Sequence, residues 1–309
     1  MCVIFVRILS FCIVCGIIEN VNAGERSPEN GDNMSNNRLV AMENVAITEK
    51  GSYTLDGREV VLGTPEELQK VVLCRPEFTR ECVDGALAAI KDAPEGMAEV
   101  EVNACDTFGA LKALSDCKAS VLNFANARWP GGGYLHGSFA QEETLCRCST
   151  LFASLTNREA DELYLYNRAN RTPEGSDYML VSPNVKVFRD VPELKLRSEP
   201  YDASVITYAA PNRESEAKPL DDAAIEKVFM RKIVNVFGVA WHFGYDALVL
   251  GAWGCGAFGN DARTVARLYR EAIYESGFGK LFKKIVFAIY TPPTVAPGYN
   301  YYRFKECFE

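Results

Sequence analysis

The chain has 309 residues, 48% of them apolar, and a formal net charge of −8 at neutral pH. That length and apolar content suit one large globular domain with additions, or at most two domains. The acidic balance excludes a broad basic surface, so no DNA binding is expected, and a polyanionic ligand would have to be gripped locally by backbone dipoles.

Residues Met1–Ala23 read as a signal peptide. Arg7 gives a thin positive start, ILSFCIVCGII an apolar core, and Val21-Asn22-Ala23 ends on a small residue. The apolar run is too short for a transmembrane helix, so no membrane span is predicted. Cleavage would send the protein to the secretory pathway, whereas initiation at Met34 or Met42 would leave it in nucleus or cytoplasm. Eight cysteines would remain: Cys74, Cys82, Cys105, Cys117, Cys146, Cys148, Cys255 and Cys307. They are scattered and form no CxxC pair, and a domain of this size needs no disulfide staples, so free thiols are the default. His136 and His242 are the only histidines, which argues against a structural zinc site.

Residues 24–37 are polar and read as a disordered linker. Residues 38–95 read as an accessory segment: a helix from Leu39, a hairpin closed at Asp56-Gly57, and a second helical pattern that includes CVDGALAAI. Residues 96–309 form the main domain in this reading. Strands are expected at Glu99–Ala104, Val121–Phe124, Tyr178–Phe188, Ser204–Ala209, Ala247–Gly251 and Lys284–Tyr290. Helices are expected from Thr107 to about Cys117, from Asp222 to His242 and from about Ala262 to Glu275, so the class is α/β.

The stretch Val121–Leu155 carries the chemistry. An apolar strand breaks at Pro130 into Gly131-Gly132-Gly133, and seven residues later comes Gln141-Glu142-Glu143 at a helix start. Consecutive glycines lose backbone entropy on ordering, and in return they let a ligand approach bare N–H groups. Ser138 and Gln141 stand at capping-box spacing, and Leu145, Cys148, Leu151 or Phe152, and Leu155 recur as one buried helical stripe. Acidic residues also favour a first helical turn because of the dipole, so Glu142 and Glu143 alone could be structural.

A second glycine loop, Gly251–Asn260, follows a strand and precedes a helix. Gly254, Gly256 and Gly259 satisfy GxGxxG, but a dinucleotide-binding unit should open a fold and lead to a strand ending in an acid. Here one strand remains and no acid ends it. Bare N–H groups at a helix N-terminus still suit a diphosphate.

The GGG loop followed by QEE resembles the microbial-type poly(ADP-ribose) glycohydrolases, a branch of the macrodomain superfamily. The resemblance covers roughly residues 38–295 and implies a three-layer α/β/α sandwich with a mixed sheet and an N-terminal helical extension. It implies hydrolysis of ribose–ribose O-glycosidic bonds in poly(ADP-ribose), with neither metal nor cofactor. By family pattern Glu143 is the general acid and then the base, while Glu142 holds ribose hydroxyls. The same resemblance assigns substrate contacts to Asn126, Gly131, Gly132, Gly133 and Gln141. It places the diphosphate on Gly254, Cys255, Gly256, Ala257, Phe258 and Gly259, with Phe258 against the distal ribose. Asp106 stands where a macrodomain adenine aspartate would. A hydrolase of mono-ADP-ribosyl derivatives and a non-catalytic ADP-ribose-binding module remain as alternatives; the intact QEE speaks against the module.

Overall fold

The computed structural model describes residues 28–215, 220–292 and 295–309. The expected signal peptide lies outside them. Helix α1 (Pro28–Lys50) begins well inside the stretch read as a linker, so residues 28–37 are helical. Residues 34–37 of it lie half-buried or exposed on the surface, and Asn37 donates to the Gly137 carbonyl at 3.1 Å. The hairpin follows as β1 (Ser52–Leu55) and β2 (Arg58–Val61), antiparallel and turned at Asp56-Gly57. Next come α2 (Pro65–Leu68), β3 (Val72–Cys74) and α3 (Pro76–Asp92).

The rest of the chain alternates. It runs through β4 (Glu99–Asn103), α4 (Thr107–Lys112), β5 (Ala119–Phe124), α5 (Gln141–Cys148), α6 (Leu151–Leu155) and α7 (Asp161–Ala169). The long strands β6 (Met179–Arg189) and β7 (Leu196–Tyr208) precede α8 (Asp222–His242). Then come β8 (Ala247–Leu250), α9 (Ala262–Arg270), β9 (Lys284–Ala288) and α10 (Tyr299–Phe308).

Seven strands form one mixed sheet in the order β3-β6-β7-β5-β8-β9-β4. From β7 to β4 the pairs are parallel; β6 runs antiparallel to both β7 and β3. Helices cover both faces, which is why the central strands are apolar throughout. Along β5, β8 and β9 successive residues alternate between two cores. Leu122, Leu248, Leu250, Ile285 and Phe287 face a core shared with α3, α8 and α9. Val121, Ala247, Val249, Val286 and Ala288 face one shared with α4, α5, α6 and α7.

The α/β/α sandwich is as expected, but the boundary at residue 95 is not a boundary in the fold. Strand β3 pairs with β6 in the main sheet, and Cys82 and Ala86 of α3 are buried in the same core as α8. A short three-residue strand without strong alternation gave little signal.

Candidate active site

Strand β5 delivers the chain to the edge of the sheet at Phe124, and α5 returns to that edge at Gln141. Gln141 fastens the two: its Oε1 accepts from Phe124 N at 2.9 Å, and its Nε2 donates to Leu122 O at 2.8 Å and Thr107 Oγ1 at 3.2 Å. Both ends of the amide are committed to protein, so Gln141 positions the helix rather than the ligand. Nor is Ser138 the cap. The N-cap residue is Ala140, and its N–H donates to Glu143 Oε2 at 2.9 Å.

Glu142 and Glu143 are only 3% and 8% exposed. Glu142 accepts from Asn126 N at 2.7 Å and from Asn123 Nδ2 at 3.2 Å, and Asn123 also donates to Thr207 Oγ1. Burial, reinforced by the charge of Glu143, pushes the Glu142 carboxyl up to about 8 against the pull of the Asn126, Asn123 and Gly131 donors. Glu143 accepts two backbone N–H groups, from Gly133 at 2.9 Å and from Ala140.

The triple glycine therefore does something other than expected. Gly132 N donates to Trp129 O at 3.0 Å and Gly133 N to Glu143 Oε1 at 2.9 Å. Neither of these N–H groups is bare: one meets a loop carbonyl and the other the protein's own glutamate. Gly132 has φ of +57°, and a Cβ there would lie 2.5 Å from Glu143 Oε1 and 3.1 Å from Glu142 Oε2. Only glycine lets the loop meet both carboxylates.

The second loop keeps the open backbone. Trp253, fully buried, anchors it by donating Nε1–H to Tyr208 O at 3.2 Å. Cys255 N, Gly259 N and Asn260 N close tight turns onto Ala252, Gly256 and Gly254 carbonyls. Gly256, Ala257 and Phe258 carry N–H groups with no acceptor among the described residues. A Cβ at Gly256 would meet nothing within 4 Å, whereas Gly254 and Gly259 need their positive φ. Burial, reinforced by the charge of Asp261, pushes the Cys255 thiol up to about 12.

Asn126 and Phe258 line one cleft, so the two loops converge. The Asn126 carbonyl oxygen Oδ1 ties its own turn by accepting from Arg128 N and Trp129 N, which leaves Nδ2 for a ligand. Phe258 is half-buried against the core beside that cleft. On the other side of the α5 N-terminus a cavity of about 610 Å³ is lined by Asp106, Thr107, Phe139, Gln141, Thr144 and Tyr290. Asp106 Oδ1 caps α4 by accepting from Phe108 N and Gly109 N. Among the described residues no cluster of side chains is arranged to hold a metal ion.

Two buried carboxylates are thus set at a glycine loop, with a second, open loop converging on them. A profile for "Microbial-type PARG, catalytic domain" matches residues 41–190. The poly(ADP-ribose) glycohydrolase of Thermomonospora curvata superposes with a TM-score of 0.78 at 33% identity, covering 89% of this chain and 100% of that one. The chain belongs to the microbial-type poly(ADP-ribose) glycohydrolase family.

Other glycohydrolases of the family superpose with ligands in place. The T. curvata enzyme bound to the inhibitor ADP-HPD matches at 34% identity and TM-score 0.77, covering 88% of this chain and 99% of that one. The Deinococcus radiodurans enzyme in complex with ADP-ribose matches at 32% and 0.70, covering 78% of this chain and 94% of that one. No curated protein matches by sequence.

Proposed function

We propose that this glycohydrolase cleaves the ribose–ribose O-glycosidic bond at the end of poly(ADP-ribose) and releases ADP-ribose. One observation carries the reading: two buried carboxylates held at Gly132, next to a loop with three consecutive unengaged N–H groups. The N–H groups of Gly256, Ala257 and Phe258 would receive the diphosphate, as open backbone at a loop before a helix does elsewhere. Phe258 would lie against the distal ribose and Asn126 Nδ2 would meet a ribose hydroxyl. The cavity beside Asp106 and Tyr290 has room for the adenosine end.

The proton inventory follows from the geometry. Burial pushes the Glu142 carboxyl up to about 8, and Glu143 accepts the Gly133 and Ala140 N–H groups. Ribose hydroxyls donating to Glu142 favour its ionised form. As Glu142 ionises it gives up its proton, and Glu143 beside it carries that proton as the general acid. Glu143 gives that proton to the leaving ribose oxygen as the anomeric carbon becomes oxocarbenium-like. It then takes a proton from the attacking water. The second carboxylate of ordinary glycosidases is not needed across the ring, because one group serves both steps. No metal enters this scheme.

The deciding experiment incubates the purified protein with poly(ADP-ribose) and follows free ADP-ribose by chromatography. Release is expected; binding of ADP-ribose without any release would establish a binding module instead. A signal peptide at Met1–Ala23 would take the enzyme to the secretory pathway. N-terminal sequencing of the mature protein checks this, with Gly24 expected and Met34 or Met42 excluding it.

A further inference from the structure

The loops at one edge of the sheet follow the strand order. Asp106 comes after β4, the Gly251–Asn260 loop after β8, and the GGG loop after β5. A terminal ADP-ribose laid out as proposed runs along that edge from adenine to distal ribose, and its scissile bond lies at β5. The next strands in order are β7 and β6, and the start of β6 lies beside the end of β7, with Leu180 opposite Thr207. There the edge carries a small polar cleft of about 60 Å³. It shares Asn126 and Phe258 with the proposed ribose site and is otherwise lined by residues such as Arg128, Arg171, Asn167 and Asn212.

Its charge is opposite to that of the whole chain, which carries −8. Neither the Arg128 nor the Arg171 side chain is in an ion pair with a described residue. The backbone of Arg128 is fixed from two sides. Its N–H donates to Asn126 Oδ1 at 2.9 Å, and its carbonyl accepts from Arg168 Nη1 at 2.9 Å. Arg168 in turn lies over the half-exposed Trp129 ring, 4.9 Å from its centroid. Two guanidinium groups with no ion-pair partner among the described residues, in a cleft rich in amides, match the chemistry of a phosphate, which arginine binds through paired charge-assisted hydrogen bonds.

We propose that this cleft is a subsite for the leaving group, gripping the diphosphate of the next ADP-ribose unit through Arg128 and Arg171. The inference rests on the hydrolase reading above. The chemistry of the polymer fits the distance in kind: the scissile oxygen is carried by the ribose of that unit, and a single ribose ring separates it from the unit's own diphosphate. Such a subsite makes the enzyme prefer a polymer over an ADP-ribosyl group on an uncharged carrier.

The test compares wild type with the double variant Arg128→Ala/Arg171→Ala on two substrates: poly(ADP-ribose), and an ADP-ribose aryl glycoside whose leaving phenol carries no phosphate. Both arginines are exposed, so the variant should fold as wild type does. Its kcat/KM on polymer is expected to fall by about tenfold or more, the scale of lost charge-assisted contacts, with turnover of the aryl glycoside retained. The wild-type advantage on polymer should shrink as salt rises, because the contacts are partly screened. Undiminished kcat/KM on polymer would overturn the subsite, as would an equal loss on both substrates. A wild type that turns over neither substrate would overturn the hydrolase reading and the subsite together, so the two failures are told apart.

Discussion

Glu142 and Glu143 are neighbours in sequence with different hydrogen-bond partners: Glu142 meets Asn126 N and the Asn123 amide, Glu143 the N–H groups of Gly133 and Ala140. Glu143→Gln keeps the size and can still accept one of the two N–H groups from Gly133 and Ala140, but it cannot carry a proton to the leaving oxygen. Release of ADP-ribose from polymer is expected to drop by at least ~10⁴-fold, the upper end for a general acid–base group, while calorimetric affinity for ADP-ribose changes little. Glu142 makes a separate, thermodynamic signature. Its folded pKa of about 8 lies above the unfolded value, so the folded state binds the extra proton. Its contribution to stability is therefore complete below about pH 4.5 and is lost as pH rises toward 8. In Glu142→Gln this decline should flatten: the slope of melting temperature against pH between 5 and 8 should be shallower than in wild type. Equal slopes would mean Glu142 is not the group that binds the proton. The QEE motif at a helix start was legible in the sequence. That the Gly133 amide holds Glu143 was not, because the partners of an N–H group are set by tertiary approach. Arg128 and Arg171 went unnoticed for a related reason: spacing does not reveal which cations lack a carboxylate.

At the scale of elements, the two glycine loops look alike in sequence and differ in what they hold. A valine at Gly132 would drive into Glu143 and Glu142 and would disturb catalysis and fold together. A valine at Gly256 meets open space in the free protein. Gly256→Val is thus the cleaner probe: its melting temperature should match wild type while ADP-ribose binding, read by calorimetry, is lost through blockage of the adjacent N–H groups. Retained affinity would remove the diphosphate from this loop. Most strands and the long helix α8 were readable from apolar runs and 3.6-residue periodicity. The single helix expected from Gln141 to Leu155 is two helices, broken at Ser149-Thr150. There Thr150 N donates to Lys186 O and its Oγ1 accepts from Lys186 N, while Ser149 bridges Val187. A neighbouring strand claims these backbone groups, a contact that local periodicity does not encode.

For the molecule as a whole, the N-terminal segment is packed on the GGG region and on the helix that carries Glu142 and Glu143. Helix α1 reaches the loop behind the GGG turn through Asn37, and Tyr134 donates to Ala41 O at 3.3 Å. Asn44, 2% exposed, holds the far end of the catalytic helix: its Nδ2 donates to Arg147 O at 2.6 Å. Its Oδ1 accepts from Arg189 Nε at 2.7 Å, and Arg189 also pairs with Glu43 on α1 at 2.5 Å. Thus α1, α5 and β6 meet at one amide side chain. Gln141 fixes the start of α5 to the sheet and Asn44 fixes its end, so the glutamates sit on a helix clamped twice. Asn44→Ala leaves the Arg147 carbonyl and the Arg189 guanidinium, both buried, short of a partner. Stability should fall by about 1–3 kcal/mol, the cost of stranded buried polar groups, in denaturant unfolding. Asn37→Ala, at a half-buried surface contact, should lose less. Equal and negligible losses from both would mean that α1 merely lies on the domain, and that the catalytic helix is held by Gln141 and its own core contacts alone.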